Sequence, residues 1–171
     1  DKDCRSSPDS FHGCGIDEGL QILSDIRDNF GIPVTSDFSD PAWAAATGEV
    51  CDLVQVPAYL CRQTSILRAA AETGRPIHLK KGQFMSPWNM ANSVKKIEAA
   101  GGKFSILGNH DYGDYALRDQ PERKSKNFER LLEVHEEMGF RLLRNEHVIL
   151  KKDGESLYLI GSENWGLGFH Q

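Results

Sequence analysis

The sequence predicts an α/β protein, with parallel β/α units through its first two thirds and an α+β segment after them. Three observations carry this. Leu53-Val54-Gln55-Val56 is nearly continuous in apolar residues, as a parallel strand covered on both faces should be. Strand-like and helix-like stretches alternate over short connections as far as Leu107. Beyond Leu107 a long polar loop, one helix and a hairpin pattern replace that alternation.

Each element follows from local pattern. Ile16, Leu20, Leu23, Ile26 and Phe30 recur at helical spacing, with Asp17 as the expected N-cap and Gly31 as the stop. A first strand is expected over Ile32–Thr35, then a helix opened by Asp40-Pro41 and carried by Ala44, Ala45 and Ala46. After the strand at Leu53–Val56, Thr64 is expected to cap a helix ending at Gly74. Ile77-His78-Leu79 forms the third strand, and Ser86-Pro87 starts a helix through Met90, Val94 and Ile97 up to Gly101. Lys103–Leu107 is the fourth strand. Right-handed βαβ succession makes the four strands parallel, which would set Asp37, Lys80 and Asn109 along one edge of a single sheet. An open sheet and a barrel both satisfy the pattern. In the last third, Phe128, Leu131, Leu132 and Met138 mark a helix ending at Gly139, and Asp153-Gly154 joins a hairpin of His147–Lys151 and Leu157–Ile160.

Composition narrows the function classes. The 171 residues, 39% hydrophobic and 26% charged, suffice for one sizeable core. A formal charge of -5 supplies no general basic field, so nucleic acid and anionic membranes are not expected partners. Cys4, Cys14, Cys51 and Cys61 form no Cys-x-x-Cys pair in a chain too long to need staples, and are read as free cytosolic thiols. No run approaches the ~18 apolar residues of a membrane span, and the polar N-terminus lacks a signal-peptide pattern. The expected location is the cytoplasm. The start inside a polar motif and the end at Gly168-Phe169-His170-Gln171 lead us to expect flanking sequence.

In parallel α/β folds, chemistry gathers where the carboxyl ends of strands meet loops and helix N-termini. The polar residues there are Asp37 after the first strand, Gln55 within the second, and Lys80 and Lys81 after the third, with Lys2, Arg5, Ser6 and Ser7 near the start. Cationic side chains can hold phosphate and carboxylate groups, while Gln55 and Asp37 can fix hydroxyls. Such a set suits a phosphorylated sugar and a small anionic acid. The plainer alternative is a solvated strand end at Lys80-Lys81 and a turn cap at Asp37.

Longer stretches carry a family likeness. Lys2-Asp3-Cys4-Arg5-Ser6-Ser7, the run Gln55-Val56-Pro57-Ala58-Tyr59-Leu60-Cys61-Arg62-Gln63-Thr64, and Leu79-Lys80-Lys81-Gly82-Gln83-Phe84 followed by Ser86-Pro87 resemble motifs of the 3-deoxy-manno-octulosonate 8-phosphate (KDO 8-phosphate) synthase family. The resemblance covers residues 1–101. It implies part of an eight-stranded β/α barrel, of the TIM-barrel kind, acting as a homo-oligomer. It also implies a transferase that condenses phosphoenolpyruvate with arabinose 5-phosphate in lipopolysaccharide precursor biosynthesis. By the same resemblance Lys2, Gln55 and Lys80 lie at phosphoenolpyruvate, with Lys2 and Lys80 as catalytic candidates. Asp37 would hold arabinose 5-phosphate, and Arg5, Ser6 and Arg62 would bind the sugar phosphate from a neighbouring subunit. Cys4 stands where the family has Asn, Asp3 where it has Ala, and Ser39 where it often has His. An added acid and a poor amide substitute beside an anion should weaken the sugar half of the site.

Residues 102–171 show a different likeness. Leu107-Gly108-Asn109-His110-Asp111 resembles the Gly-Asn-His-Asp block of calcineurin-like metallophosphoesterases, extended by Tyr112-Gly113-Asp114-Tyr115 and Glu163-Asn164-Trp165-Gly166. It implies that Asn109 offers an oxygen to a divalent metal (manganese, iron or zinc), that His110 serves the phosphoryl oxygen as a catalytic group, and that Asp111 orients the imidazole. A turn containing a satisfied histidine is the alternative. His12, His78, His135, His147 and His170 have no partner spacing for further ligands, so one block is too few for a two-metal centre, and the sequence fixes no cofactor. Three readings are therefore carried forward: a synthase-type enzyme, a metal-dependent phosphoester hydrolase, and a non-catalytic or vestigial phosphate-binding module.

Overall fold

The computed structural model describes residues 7–97, 103–114, 117–152 and 154–163, with the backbone alone at 152 and 155. The chain divides into two compact units, Asp1–Ala99 and Ala100–Gln171.

In the first unit, helix α1 spans Ile16–Phe30 and ends at Gly31, whose left-handed φ of 61° lets its N–H reach the carbonyl of Arg27. Its N-cap is Gly15 rather than Asp17, which lies in the first turn, where an acid complements the helix dipole. Strand β1 is Thr35–Asp37, later than Ile32–Thr35. Pro33 has no N–H to donate, the Val34 N–H goes to the Asp52 carboxylate at 2.9 Å while its carbonyl accepts from the Asp52 N–H at 3.0 Å, and the paired residues of the ladder begin at Thr35. Asp37 consequently closes the strand instead of following it. Asp40 caps the 3-10 turn Pro41–Trp43, accepting from the Ala42 N–H at 2.9 Å, and α2 (Ala44–Val50) continues from that turn. Strand β2 (Leu53–Val56), a 3-10 turn at Ala58–Leu60 and α3 (Thr64–Glu72) come next. The cap of α3 is Gln63, with Thr64 its first residue. Strand β3 (Ile77–Leu79) is followed by α4 (Pro87–Lys96), where the Ser86 hydroxyl accepts from the Asn89 N–H at 3.3 Å. The rest of the helix expected to reach Gly101 lies outside the described residues.

The three strands are parallel in the order β1-β2-β3. Val54 and Val56 of the central strand have no solvent exposure and pack with Phe38, Ala44, Cys51, Ile66, Leu67 and Ala70. This core glues α2 and α3 to one face of the sheet. Burial raises the pKa of the Cys51 thiol, more than the nearby Ser36 backbone and the Arg27 and Arg75 charges lower it. Cys51 is thus held protonated, and it, Cys14 and Cys61 are free thiols.

In the second unit, β4 (Phe104–Ser105) leads through the 3-10 turn Asn109–Tyr112 and helix α5 (Pro121–Glu137) to a short β5 (Arg141–Leu142). The expectation that β4 is the fourth member of the first sheet is corrected here. It pairs in parallel with β5, and the N–H groups of Arg141 and of Leu143, just past the strand, donate to the carbonyls of Lys103 and Ser105 at 2.9 Å. The common edge expected for Asp37, Lys80 and Asn109 goes with it. Strand β5 escaped sequence reading because two ladder residues leave no periodicity to detect. The antiparallel hairpin forms as expected, with β6 (Glu146–Lys152) against β7 (Glu155–Gly161). Buried Leu143 packs so closely on Gly161 that a Cβ there would come within 2.4 Å of the leucine Cβ.

Because Leu67 is fully enclosed in the first core, Leu67→Ala should cost about 2–5 kcal/mol. Urea denaturation followed by circular dichroism should show a lower midpoint or no folded baseline; an unchanged midpoint would mean that this core does not hold the first unit together.

Candidate functional site

The parallel register builds a polar row. Asp37 pairs with Gln55, and Gln55 pairs with His78, so three strands place one polar residue each at the same level. Alternation sends Val54 and Val56 into the helix-covered core, which leaves Gln55 and its two register partners on the opposite face. The Gln55 amide donates to an Asp37 carboxylate oxygen at 3.3 Å. The ladder continues past β3 through the Lys80 N–H to the Val56 carbonyl at 3.2 Å, so Lys80, two residues beyond His78, shares its face. Asp37, Gln55 and Lys80 are therefore brought together. His78 joins them and was missed by sequence reading, although a lone polar residue between Ile77 and Leu79 in a short strand is the alternation that marks a second face.

The loop after β3 is fixed by its own contacts. The Lys81 ammonium donates to the carbonyls of Gly82 and Met85, both at 3.3 Å, which assigns the second lysine of the pair to holding the loop. Gly82 is buried where a Cβ would meet the Phe84 ring at 2.7 Å and the Ala58 carbonyl oxygen at 2.9 Å. Lys80 thus emerges beside the turn that follows β2. Arg62 is exposed just past that turn, and its carbonyl accepts from Lys96 at 3.0 Å. Lys2, Arg5 and Ser6 lie outside the described residues.

Electrostatics act on His78. Its residue is exposed along one side, yet desolvation by the surrounding protein lowers its pKa, and the Lys80 charge lowers it further. The imidazole is consequently neutral at neutral pH. Next to a cation and an amide, it can both donate and accept a hydrogen bond.

The second unit presents the Gly108–Asp111 motif differently from expectation. Asp111 accepts the Gly108 N–H at 2.7 Å, so one carboxylate oxygen closes the turn. Asn109 and His110 are exposed within it. Tyr112 stacks on Phe128 of α5 with centroids 5.2 Å apart, which anchors the far end of the turn. Among the described residues no three His, Cys, Asp or Glu side chains come together to hold a metal ion. Among the described residues, the groups around Asn109 do not make up a two-metal centre. Glu163 is engaged structurally, accepting from Arg144 at 2.7 Å and from the Asn145 amide at 3.1 Å. Asn164, Trp165 and Gly166 lie outside the described residues.

Two outcomes follow for the first unit. Gly82→Ala should force the Phe84 ring or the Ala58 backbone to shift and cost about 1–3 kcal/mol; a variant melting at the wild-type temperature would show that the loop yields freely. For His78 the folded pKa lies below the unfolded value, so the unfolded state binds more protons and stability falls as pH drops from about 6.5 toward the lowered folded value. Denaturation midpoints between pH 7.5 and 5 should fall in the wild type and fall less in His78→Asn. Equal slopes would remove His78 from the acid response.

The model of the DAHP synthetase I family matches residues 1–140, past the boundary at residue 101 expected from the motifs. A 2-dehydro-3-deoxyphosphooctonate aldolase of Protochlamydia amoebophila is 48% identical over 107 residues, covering 63% of this chain and 39% of that protein. The proteins of the same name from a Cyanothece species and from Trichlorobacter lovleyi are 49% and 48% identical over 107 residues, each with 39% of its length covered. This chain therefore spans about two fifths of the relatives it matches. These matches give no support to a metallophosphoesterase origin for residues 102–171. Matched by the family model over residues 1–140 of 171, the chain belongs to the DAHP synthetase I family.

Proposed function

We propose that the chain serves a KDO 8-phosphate synthase reaction, the condensation of phosphoenolpyruvate with arabinose 5-phosphate. The observation that carries this reading is the assembly of Asp37, Gln55 and Lys80 on one face of a parallel sheet, with Gln55 bonded to Asp37. Lys80 and Gln55 hold the carboxylate and phosphate of phosphoenolpyruvate, and Asp37 takes a hydroxyl of the sugar. Lys2 belongs with the phosphoenolpyruvate group, while Arg5, Ser6 and Arg62 bind the sugar phosphate, Arg5 and Ser6 from a neighbouring subunit of a homo-oligomer. C3 of phosphoenolpyruvate attacks the sugar aldehyde, the carbonyl oxygen takes a proton, and water at C2 leads to release of phosphate. Fixed positive charge at Lys80 orients the trianionic donor for that attack. The resulting eight-carbon sugar acid feeds lipopolysaccharide assembly in the cytoplasm.

A hydrolase reading rests on Gly108–Asp111 alone. The family match running through that motif to residue 140 favours the synthase reading instead. A divalent metal at Asn109 would need donors beyond those the described residues bring together.

The test is calorimetry on the whole chain. Phosphoenolpyruvate should bind in the millimolar range, about 4 kcal/mol, and arabinose 5-phosphate more weakly. Lys80→Ala should remove roughly 1.5 to 3 kcal/mol, the worth of a charge-assisted contact. Unchanged affinity in a folded Lys80→Ala variant would overturn the role given to Lys80.

A further inference from the structure

We propose that His78 is a further binding residue of this site, contacting the phosphorylated ligand from β3 beside Lys80. The inference rests on the synthase reading and adds to it a residue that none of the family motifs quoted above includes.

The geometry is that of the sheet. His78 stands opposite Gln55 in register, as Gln55 stands opposite Asp37, and adjacent strands lie about 4.8 Å apart. A ligand that bridges Gln55 and Lys80 therefore passes beside His78, which is one strand from the first and two residues from the second. His78 is exposed on that face, whereas its strand neighbours Ile77 and Leu79 are partly buried with the core. The charged and polar groups facing it are Lys80 on its own strand, Gln55 on β2, and Asp37 one strand further away. Lys81 is turned to the carbonyls of its own loop. Among the described residues the charge that acts on the imidazole is that of Lys80, so a bound anion would bring negative charge to it.

That placement gives the contact a sign. An anion beside His78 stabilises its protonated form, so ligand binding should raise the pH at which the imidazole titrates. By reciprocity, affinity for the anion should rise as His78 takes up its proton.

The experiment is proton NMR of the full chain, following the His78 ring Cε1–H signal with pH in the absence and presence of saturating phosphoenolpyruvate. His78→Asn identifies the signal and also serves as a binding variant, with His78→Gln as a second should the first fail to fold. Phosphoenolpyruvate is expected to move the His78 titration to higher pH, and loss of the imidazole to weaken binding about 2- to 10-fold, the worth of one hydrogen bond. If phosphoenolpyruvate binds in a Lys80-dependent way while the His78 titration and the affinity of both variants stay unchanged, the role of His78 is overturned and the synthase reading stands. If the folded wild-type chain binds no phosphoenolpyruvate, both fall.

Discussion

The parallel register of β1, β2 and β3 is the constraint on which the first unit depends. Backbone bonds fix Asp37 against Gln55 and Gln55 against His78 before any side chain has a choice. A slip of one residue would exchange the two faces, sending Gln55 into the apolar core and Val54 or Val56 toward solvent. Burial of those two valines and the polar row are thus one fact seen from two sides. The hydrophobic effect that attaches α2 and α3 to the sheet also sets where the polar groups stand.

The same register explains how short strands suffice. Three or four residues each make few ladder bonds, and the connecting segments supply the rest. Arg27 donates to the Val50 carbonyl and Arg75 to the Gly48 carbonyl, both at 2.7 Å, so two arginines from different elements satisfy the carboxyl end of α2. Gly48 has no room for a side chain, since a Cβ would sit 2.7 Å from that of Thr73. The end of α2 is thereby packed against the end of α3, and Asp52, bonded to Val34, sets where β1 begins pairing. The polar residues at the strand ends inherit their positions from these contacts at the opposite ends of the helices.

Much of this was legible in the sequence. Asp40-Pro41 and Ser86-Pro87 opened the turn and helix they predict because a carboxylate or hydroxyl beside proline satisfies the first helical N–H groups whatever the tertiary context. The positions of Gln55 within β2 and Lys80 just past β3 could be read because strand ends can be located from apolar runs. The start of β1 was misplaced because the partner of Val34 is the side chain of Asp52, eighteen residues away, and no local pattern reports it. His78 was passed over for a related reason. Only pairing across strands puts it level with Gln55, and register is a property of two segments rather than of one.

The placement of β4 shows where local reading ends and topology begins. A strand after a β/α succession was expected to extend the existing sheet, and its residues do form a parallel ladder, but with β5. Both possibilities need an apolar strand, a connecting helix and a right-handed crossover, so the pattern of Phe104 and Ile106 is the same for either. The discriminating information lies downstream, in Arg141 to Leu143. Their N–H groups take the carbonyls of Lys103 and Ser105, and Leu143 is buried against Gly161 of the hairpin. The same bonding changes what the Gly-Asn-His-Asp resemblance can mean. Gly108 and Asp111 close a turn through their own hydrogen bond, and Tyr112 fastens it to α5 by stacking on Phe128. A motif whose carboxylate oxygen already completes a backbone turn has a structural reason to exist without a metal, and that reason holds whichever sheet β4 joins.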